Sequence, residues 1–188
     1  MLKKLSETPS QTAGPFLHIG CTPAAIDINV FRYEIGLAPF GDISFDDVIN
    51  IKGRIFDGNN EPVLDAMIET WQCDSNGNYF GYQGFARKAT DFETGEYFIK
   101  TIKPDSNNDN KGSQISSYIS FWIVARGMNR PLITRMYFDK KGLENNKIFK
   151  GFNIKKRLNT LLPQTKDNKN FIFDIHLQGK KETIFFEF

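Results

Sequence analysis

Side chains that commonly bind metals or act as nucleophiles are scarce in this sequence. The 188 residues contain two histidines and two cysteines, and each pair is widely separated along the chain. These residues are His18, His176, Cys21 and Cys73. The chain has no G-x-S-x-G elbow, no phosphate-binding glycine loop and no cysteine pair at zinc spacing. The simplest interpretation is two ordinary histidines and two unpaired thiols.

Aspartates offer one further possible metal chemistry, because carboxylate oxygens are the ligands that calcium prefers. The four to consider are Asp57, Asp65, Asp74 and Asp91. Aspartate also accepts backbone hydrogen bonds in tight turns, and that role explains each of the four without a metal. We therefore interpret them as turn residues.

The stretch from Val48 to Phe80 has the clearest structural pattern. Apolar residues alternate with polar ones in its first segment, which is typical of a half-buried strand. One face carries Ile49, Ile51, Gly53 and Ile55, and the other carries Asn50, Lys52 and Arg54. Turn-forming residues at 57–60 and 74–77 flank a second strand segment at 66–72. The pattern predicts an antiparallel β-meander.

The remainder of the chain predicts further short strands separated by turns and loops. Strands are expected at 89–100, 117–126, 132–138, 171–177 and 183–188. Loops are expected at 79–88 and 104–112, and a short helix around 155–162. The strand at 117–126 has large apolar groups on both faces, so we place it centrally, in a hairpin with 132–138. The aromatic tail at 183–188 would be an exposed patch if nothing covered it, so we expect it to be covered, with another subunit as one candidate.

Seven or so strands of this kind predict an all-β fold, an antiparallel β-sandwich with long irregular loops and little helix. We expect one domain over residues 1–188, with 1–16 as an extended N-terminal arm because Pro9 and Pro15 disfavour a helix there. The net charge of +2 argues against a nucleic-acid protein. A basic cluster is interpreted as a solvated face: Lys150, Lys155, Lys156 and Arg157. Free thiols, no signal peptide and no membrane span predict a cytoplasmic protein.

The segment from Gly53 to Tyr79 also resembles a known family, the intradiol ring-cleaving dioxygenases. The matching residues are Gly53, Asp57, Gly58, Pro62, Ala66, Glu69, Trp71, Gln72, Asp74, Gly77 and Tyr79. Four more blocks follow the family order: TPSQTAGPF, ATDF-TGEY, ARGMNRPLITRMYFD and ETIFFEF. The resemblance spans residues 5–188 and is nearest to the alpha chains of those members that are built from two kinds of chain.

The resemblance has a clear implication for iron. The family holds a ferric ion with two tyrosines and two histidines, and a His-x-His on a strand points two imidazoles to one face. In this sequence the corresponding positions are Tyr118 and Ser120, and no His-x-His occurs. We therefore predict no metal ligand and no catalytic residue in this chain. The Fe(III) is expected on a partner, an iron-bearing beta chain.

What remains for the alpha chain, according to the resemblance, is to help form a substrate pocket at the junction with the beta chain. The substrate of such enzymes is protocatechuate, which O2 cleaves between the two hydroxylated carbons to 3-carboxy-cis,cis-muconate. Arg126 is expected to bind the substrate carboxylate. The arm residues Gly14, Pro15 and Phe16 are expected at the mouth of the pocket. Phe16 replaces a tyrosine that is common there, with the loss of one hydroxyl.

Spacing separates Arg126 from the degenerate metal positions. It shares a strand face with Tyr118, but eight residues of strand place the two ~26 Å apart. Arg126 could therefore serve a neighbour's site, and Arg130 and Arg135 are weaker candidates, expected as hairpin-surface or interface charges. The alternatives are an exposed strand-end arginine, an arm with no role in the site, and a non-catalytic β-sandwich that binds ligands or serves as a scaffold.

Overall fold

The structure, a computed structural model, describes residue 6 and residues 8–29, 36–41, 48–108, 114–149 and 156–187. The described strands are β1 (Val48–Phe56), β2 (Met67–Trp71), β3 (Phe85–Ala89), β4 (Glu96–Ile102), β5 (Asn107–Asn108), β6 (Gln114–Ile115), β7 (Tyr118–Val124), β8 (Leu132–Tyr137), β9 (Gln164–Thr165), β10 (Asn170–Ile172) and β11 (Ile175–His176). The helices are α1 (Leu17–Cys21) and α2 (Lys140–Asn145), with 3-10 turns at Pro23–Ile26, Lys147–Phe149 and Leu158–Leu161. No described helix is long and apolar enough to cross a bilayer.

The first sheet is organised around β1. Strand β4 pairs antiparallel with it, from Val48 opposite Ile102 to Arg54 opposite Glu96. Strands β10 and β11 pair with β1 in parallel, and β9 lies outside β10. Between β10 and β11 the Arg54 N–H donates to the Asp174 carboxylate at 3.0 Å, so a side chain replaces one backbone acceptor where the ladder is interrupted.

The second sheet has the order β3-β2-β7-β8, and all of its neighbours are antiparallel. Strand β7 lies between β2 and β8, as predicted, and the hairpin of β7 and β8 is confirmed. The two ends of β7 are the positions from which the functional groups described below project.

The two sheets enclose one apolar core. Alternate residues of β1, β4, β7 and β10 face it, in the pattern that the sequence predicted for β1 and β7. The largest fully buried side chains include Tyr97, Phe121 and Phe173, and the Tyr97 hydroxyl donates to the Phe173 carbonyl. Gly53 is required at this point, because a Cβ there would collide with the same carbonyl. A second cluster packs α2 and the 3-10 turns against Tyr137.

The predicted all-β sandwich with little helix is therefore confirmed, but two parts of its topology were wrong. The segments 48–56 and 67–71 do not form a meander, because β1 and β2 belong to different sheets. After Val63 the chain passes from the first sheet to the second. The alternation of apolar and polar residues within a strand does not show which sheet that strand joins. The first sheet is also not purely antiparallel, since β10 and β11 run parallel to β1.

Several local predictions need correction as well. The loop predicted at 79–88 ends in β3, which begins at Phe85. The tail at 183–188 is not a regular strand: Phe186 forms one bridge to Ile133, and the chain's own clusters cover Ile184 and Phe185. The predicted helix is the 3-10 turn Leu158–Leu161, and α1 and α2 were not foreseen. Of the basic cluster, residues 150 and 155 lie outside the described residues, and Arg157 pairs with Glu182 at 2.8 Å.

Candidate functional site

Strand β7 has a group of polar and aromatic residues beside each of its ends. Beyond its carboxyl end lies the arm pocket, which we define by Gly14, Pro15, His18, Asp65 and Arg126. Beside its amino end lies the tyrosine cluster, which we define by Trp71, Tyr79, Tyr118, Arg135 and Tyr137. The sequence predicted Arg126, Gly14 and Pro15 as one group, and the structure brings these three together.

The arm pocket is a cavity of about 270 Å³. The N-terminal arm forms one wall and the end of β7 forms another. The Thr12 hydroxyl oxygen accepts the Gly127 N–H at 2.7 Å, which fastens the arm to the residue after Arg126. The Leu17 N–H donates to the Gly14 carbonyl at 3.1 Å and turns the chain into α1. Two segments more than a hundred residues apart in sequence thus enclose one cavity.

Asp65 holds the guanidinium of Arg126 in this pocket. Met67 of β2 pairs with Val124 of β7, so the same register brings position 65 opposite position 126. The Arg126 Nε and Nη2 atoms both donate to Asp65 Oδ2, at 2.9 and 2.8 Å. The Arg126 side chain is nevertheless 72% exposed and that of Asp65 28%. The pair therefore fixes one edge of a cation whose other edge faces outward.

His18 connects α1 to the same aspartate. Its Nε2 lies 3.2 Å from the Asp65 carbonyl oxygen, and its Nδ1 lies 2.8 Å from the Thr22 hydroxyl. A carbonyl only accepts, so Nε2 carries a proton and donates it to the Asp65 carbonyl, while Nδ1 and the Thr22 hydroxyl form a second hydrogen bond. The Phe92 ring meets the imidazole edge-on at 5.0 Å. His18 is thus a buried, hydrogen-bonded residue that fastens the arm, and not a metal ligand.

The tyrosine cluster contains a half-buried cation, Arg135, whose neighbours are aromatic rings. Arg135 lies opposite Ser120 in the β7–β8 register. Its guanidinium lies 4.4 Å from the centre of the Tyr118 ring and 5.4 Å from that of Phe186. Its Nη1 is also 3.5 Å from the Tyr137 hydroxyl. Arg135 was predicted as a hairpin-surface or interface charge; within the chain it is half-buried against two aromatic rings and is therefore not a fully exposed surface charge.

Two phenols of this cluster, Tyr79 and Tyr137, are stabilised in their neutral form. Burial, and then the neighbouring Tyr118, raise the pKa of Tyr79 well above its usual value. Burial also raises the pKa of Tyr137, partly offset by Arg135. Trp71 stacks on Tyr79 with ring centres 6.0 Å apart, and Tyr118 packs against Tyr137 at 5.5 Å. The cluster is a set of packed rings whose outer members, Trp71 and Tyr79, remain partly exposed.

Known proteins resemble this chain in sequence over most of its length. A family model described as "Dioxygenase" matches residues 34–179. The protocatechuate 3,4-dioxygenase alpha chain of Pseudomonas putida is 35% identical over 199 aligned positions, which cover 100% of this chain and 99% of that one. The chain belongs to the intradiol ring-cleaving dioxygenase family. It is a homologue of the family's alpha chains along its whole length.

Two further proteins share part of their sequence or their fold with this chain. The protocatechuate 3,4-dioxygenase beta chain of Burkholderia cepacia is 28% identical over 104 positions, which cover 48% of this chain and 44% of that one. The crystal structure of catechol 1,2-dioxygenase from Pseudomonas arvilla C-1 is 20% identical, with a TM-score of 0.59 over 77% of this chain. This chain covers 56% of that enzyme, so the likeness there concerns the fold of the shared domain.

The family's ferric ion does not fit the residues at the corresponding positions. Tyr118 and Ser120 project from the same half-buried face of β7, but a hydroxyl replaces an imidazole and is a poor ligand for ferric iron. The Arg135 guanidinium lies against Tyr118, so a metal cation there would meet a second positive charge. Within the described residues, no group of three or more His, Cys, Asp or Glu side chains could hold a metal.

The remaining predicted site residues of this intradiol homologue lie outside the arm pocket. Phe16 follows Pro15, but its side chain is 76% exposed and does not line the cavity. Arg130 lies on the exposed β7–β8 turn. His176 stacks on Phe56, and burial lowers its pKa. Cys21 and Cys73 are both free thiols, as predicted.

The turn interpretation of the aspartates is confirmed for three of the four. Asp57, Asp74 and Asp91 each accept two backbone N–H bonds from residues two to four positions ahead. For Asp65 it is incomplete, because its carboxylate binds Arg126. Sequence reasoning missed Asp65 and His18, since their roles depend on strand register and on where the arm lies.

Proposed function

We propose that this chain is the iron-free alpha subunit of a protocatechuate 3,4-dioxygenase. Together with an iron-bearing beta chain it forms the complex that cleaves protocatechuate with O2 between the two hydroxylated carbons. The product is 3-carboxy-cis,cis-muconate. The alpha chain itself binds and orients the substrate and carries none of the metal chemistry.

The arm pocket supports this proposal more than any other feature. Gly14, Pro15 and Arg126 line one cavity, and among the described residues no group of three or more His, Cys, Asp or Glu side chains could hold a metal ion there. Asp65 occupies Nε and Nη2 of Arg126, and among the described residues Nη1 has no hydrogen-bond partner. A cation that is held at one edge and open at the other suits an anionic group presented by a neighbour.

The role of Arg126 follows from the chemistry of the substrate. Protocatechuate is a catechol with a carboxylate remote from the carbons that react. A guanidinium at that carboxylate adds binding energy away from the reacting bond and orients the ring. Catechol has no carboxylate, so Arg126 distinguishes the two substrates.

A beta partner that holds the ferric ion is the second part of the proposal. Its support is the mismatch between ferric iron and the positions of Tyr118 and Ser120, together with a homology to alpha chains that runs from end to end. The homology to a beta chain covers only about half of each protein. We further propose one domain over residues 1–188 and a cytoplasmic location, which the two free thiols support.

Iron content tests the proposal that the beta chain, and not this chain, holds the ferric ion. The chain is purified alone and after co-expression with a candidate beta chain, and iron, visible absorbance and ring cleavage are measured. We expect iron-poor, colourless and inactive protein alone, and a coloured, active complex. Stoichiometric iron in the lone chain, or a complex that does not cleave protocatechuate, would refute the proposal.

Substitution of Arg126 tests the carboxylate contact. In the active complex, Arg126→Ala should raise KM for protocatechuate by about 10-fold to 100-fold, the value of a charge-assisted hydrogen bond. KM for catechol should change by less than about twofold, because catechol lacks the group that Arg126 binds. Arg54→Ala is the matched control, since Arg54 also pairs with a carboxylate on an exposed strand face. Equal effects on both substrates would exclude the contact.

A further inference from the structure

We propose that Asp65 is a positioning residue that joins the N-terminal arm to Arg126, so that the arm and the cation meet the substrate as one preformed unit. This inference rests on the proposed function, and it assigns to Asp65 a task in substrate selection. Asp65 contacts both parts with different atoms: its carboxylate holds Arg126, and its backbone carbonyl holds His18 of α1.

The carboxylate contact restricts a side chain that is otherwise open to solvent. Arginine has many rotamers, and an exposed one loses affinity when it must be ordered on binding. Here Nε and Nη2 donate to the same oxygen, Asp65 Oδ2, which sets the plane of the guanidinium before any ligand arrives. The strand register supplies the alignment, because position 65 lies opposite position 126.

The backbone contact fixes the arm to the same point. The His18 Nε2–H donates to the Asp65 carbonyl at 3.2 Å, and its other ring nitrogen forms a second hydrogen bond with the Thr22 hydroxyl. On the far side of the pocket, Thr12 accepts the N–H of Gly127, the neighbour of Arg126. The arm is thus held at two places, and each of them lies beside one member of the Asp65–Arg126 pair.

The negative charge of Asp65 and its positioning of Arg126 have opposite expected effects on the binding of an anionic substrate. That difference makes the inference testable. Asp65 places a negative charge beside the site for a carboxylate. If Asp65 acted only through its charge, its removal would strengthen the binding of an anionic substrate. If it acts by positioning Arg126, its removal weakens that binding although the pocket becomes more positive.

The first experiment measures substrate selectivity in the alpha–beta complex. Asp65→Ala should lower the ratio of kcat/KM for protocatechuate to kcat/KM for catechol by about 3- to 10-fold, the cost of ordering a free side chain. Asp65→Asn keeps an acceptor for Arg126 and should recover part of the loss. Glu96→Ala, which removes the carboxylate of the Arg54 pair, is the control and should leave the ratio unchanged. A ratio that stays constant or rises in Asp65→Ala overturns the inference.

The second experiment follows the arm by amide hydrogen exchange in the same complex. His18→Ala should speed exchange of the Gly127 N–H by about tenfold or more, because its acceptor Thr12 lies on the arm. His18→Gln retains a donor and should restore most of the protection. Unchanged exchange in His18→Ala would show that the arm does not depend on Asp65.

The two levels of the proposal fail in different ways. If the complex is inactive, or if Arg126→Ala leaves selectivity unchanged, the proposed function fails and the role of Asp65 in substrate selection is refuted with it. If Arg126→Ala lowers selectivity and Asp65→Ala does not, the carboxylate contact stands and only the positioning role of Asp65 is refuted.

Discussion

The two ends of β7 use arginine and aromatic residues in opposite ways. At the carboxyl end, Arg126 is mostly exposed and is held at one edge by a carboxylate. At the amino end, Arg135 is half-buried against the rings of Tyr118 and Phe186. Within the described residues, neither end carries a group of three or more His, Cys, Asp or Glu side chains that could hold a metal ion.

This difference separates groups that stabilise the chain from groups that remain available to a ligand. A guanidinium between two rings has few free donors and contributes to the folded state. An exposed guanidinium contributes little to folding and keeps donors for a ligand. The two groups lie at opposite ends of β7, where Tyr118 and Arg126 are ~26 Å apart along the strand.

A substitution in the middle of β7, between its two ends, should cause the largest loss of unfolding free energy. Phe121 is fully buried in the middle of β7 and contacts Phe173, with ring centres 5.3 Å apart. Phe121→Ala should lower the free energy of unfolding by about 3–5 kcal/mol, from lost burial and the cavity left behind. Urea denaturation of the isolated chain measures it.

A matched substitution separates burial from chemistry. Phe98 is an aromatic residue in β4, but its side chain is 53% exposed. Phe98→Ala should change the free energy of unfolding by about 0.5 kcal/mol or less. Similar losses for both substitutions would mean that Phe121 is not the packing centre described above.

Arg135 and Arg126 should contribute differently to the free energy of unfolding. Arg135→Ala removes two cation–π contacts and should cost about 1–3 kcal/mol of unfolding free energy. Arg126→Ala removes an exposed ion pair and should cost about 1 kcal/mol or less. Both are measured by urea denaturation under identical conditions. A larger loss for Arg126 would reverse the assignment of which end supports the fold.

The alternation of apolar and polar residues within single strands predicted most of the fold features that the sequence could reveal. It placed Ile49, Ile51 and Ile55 on the buried face of β1 and anticipated the hairpin of β7 and β8. Side-chain direction follows from spacing within one strand, so no distant contact needs to be known. The choice of partner strand is different, because β1 pairs with β4, β10 and β11, and these pairings bring together segments up to about 120 residues apart.

The residues of the candidate site also fall into two groups: those that the sequence could predict and those whose role depends on strand pairing. Arg126, Gly14 and Pro15 were predictable because the sequence resembles a family in which those positions are recognisable. The roles of Asp65 and Arg135 were not, because each depends on the residue opposite it in a neighbouring strand. An aspartate after Leu64 resembles any turn residue until the β2–β7 register places it opposite Arg126.

Alkaline pH offers a subtler test of the tyrosine cluster. The folded state raises the pKa of Tyr79 and Tyr137 above that of the unfolded phenols, which ionise near pH ~10. Their contribution is fully present below that pH and is lost as pH rises through the folded pKa values. Tyr137→Phe should therefore flatten the loss of stability between about pH 9 and pH 11, as measured by urea midpoints. Arg126→Ala should leave the slope unchanged, and a flattening there would contradict the assignment.

The smallest effect is expected at the tip of the arm. Phe16 is 76% exposed, so Phe16→Tyr should alter the free energy of unfolding by less than about 0.5 kcal/mol. In the alpha–beta complex the added hydroxyl could supply one neutral hydrogen bond beside the substrate, worth about 0.5–1.5 kcal/mol. We therefore expect KM for protocatechuate to fall by about two- to tenfold, with stability unchanged. Tyr82→Phe, a hydroxyl change at an exposed aromatic outside the arm pocket, is the control. If Phe16→Tyr leaves KM as it was, the arm tip lies beyond reach of the substrate, and the arm contributes to the pocket only through Gly14 and Pro15.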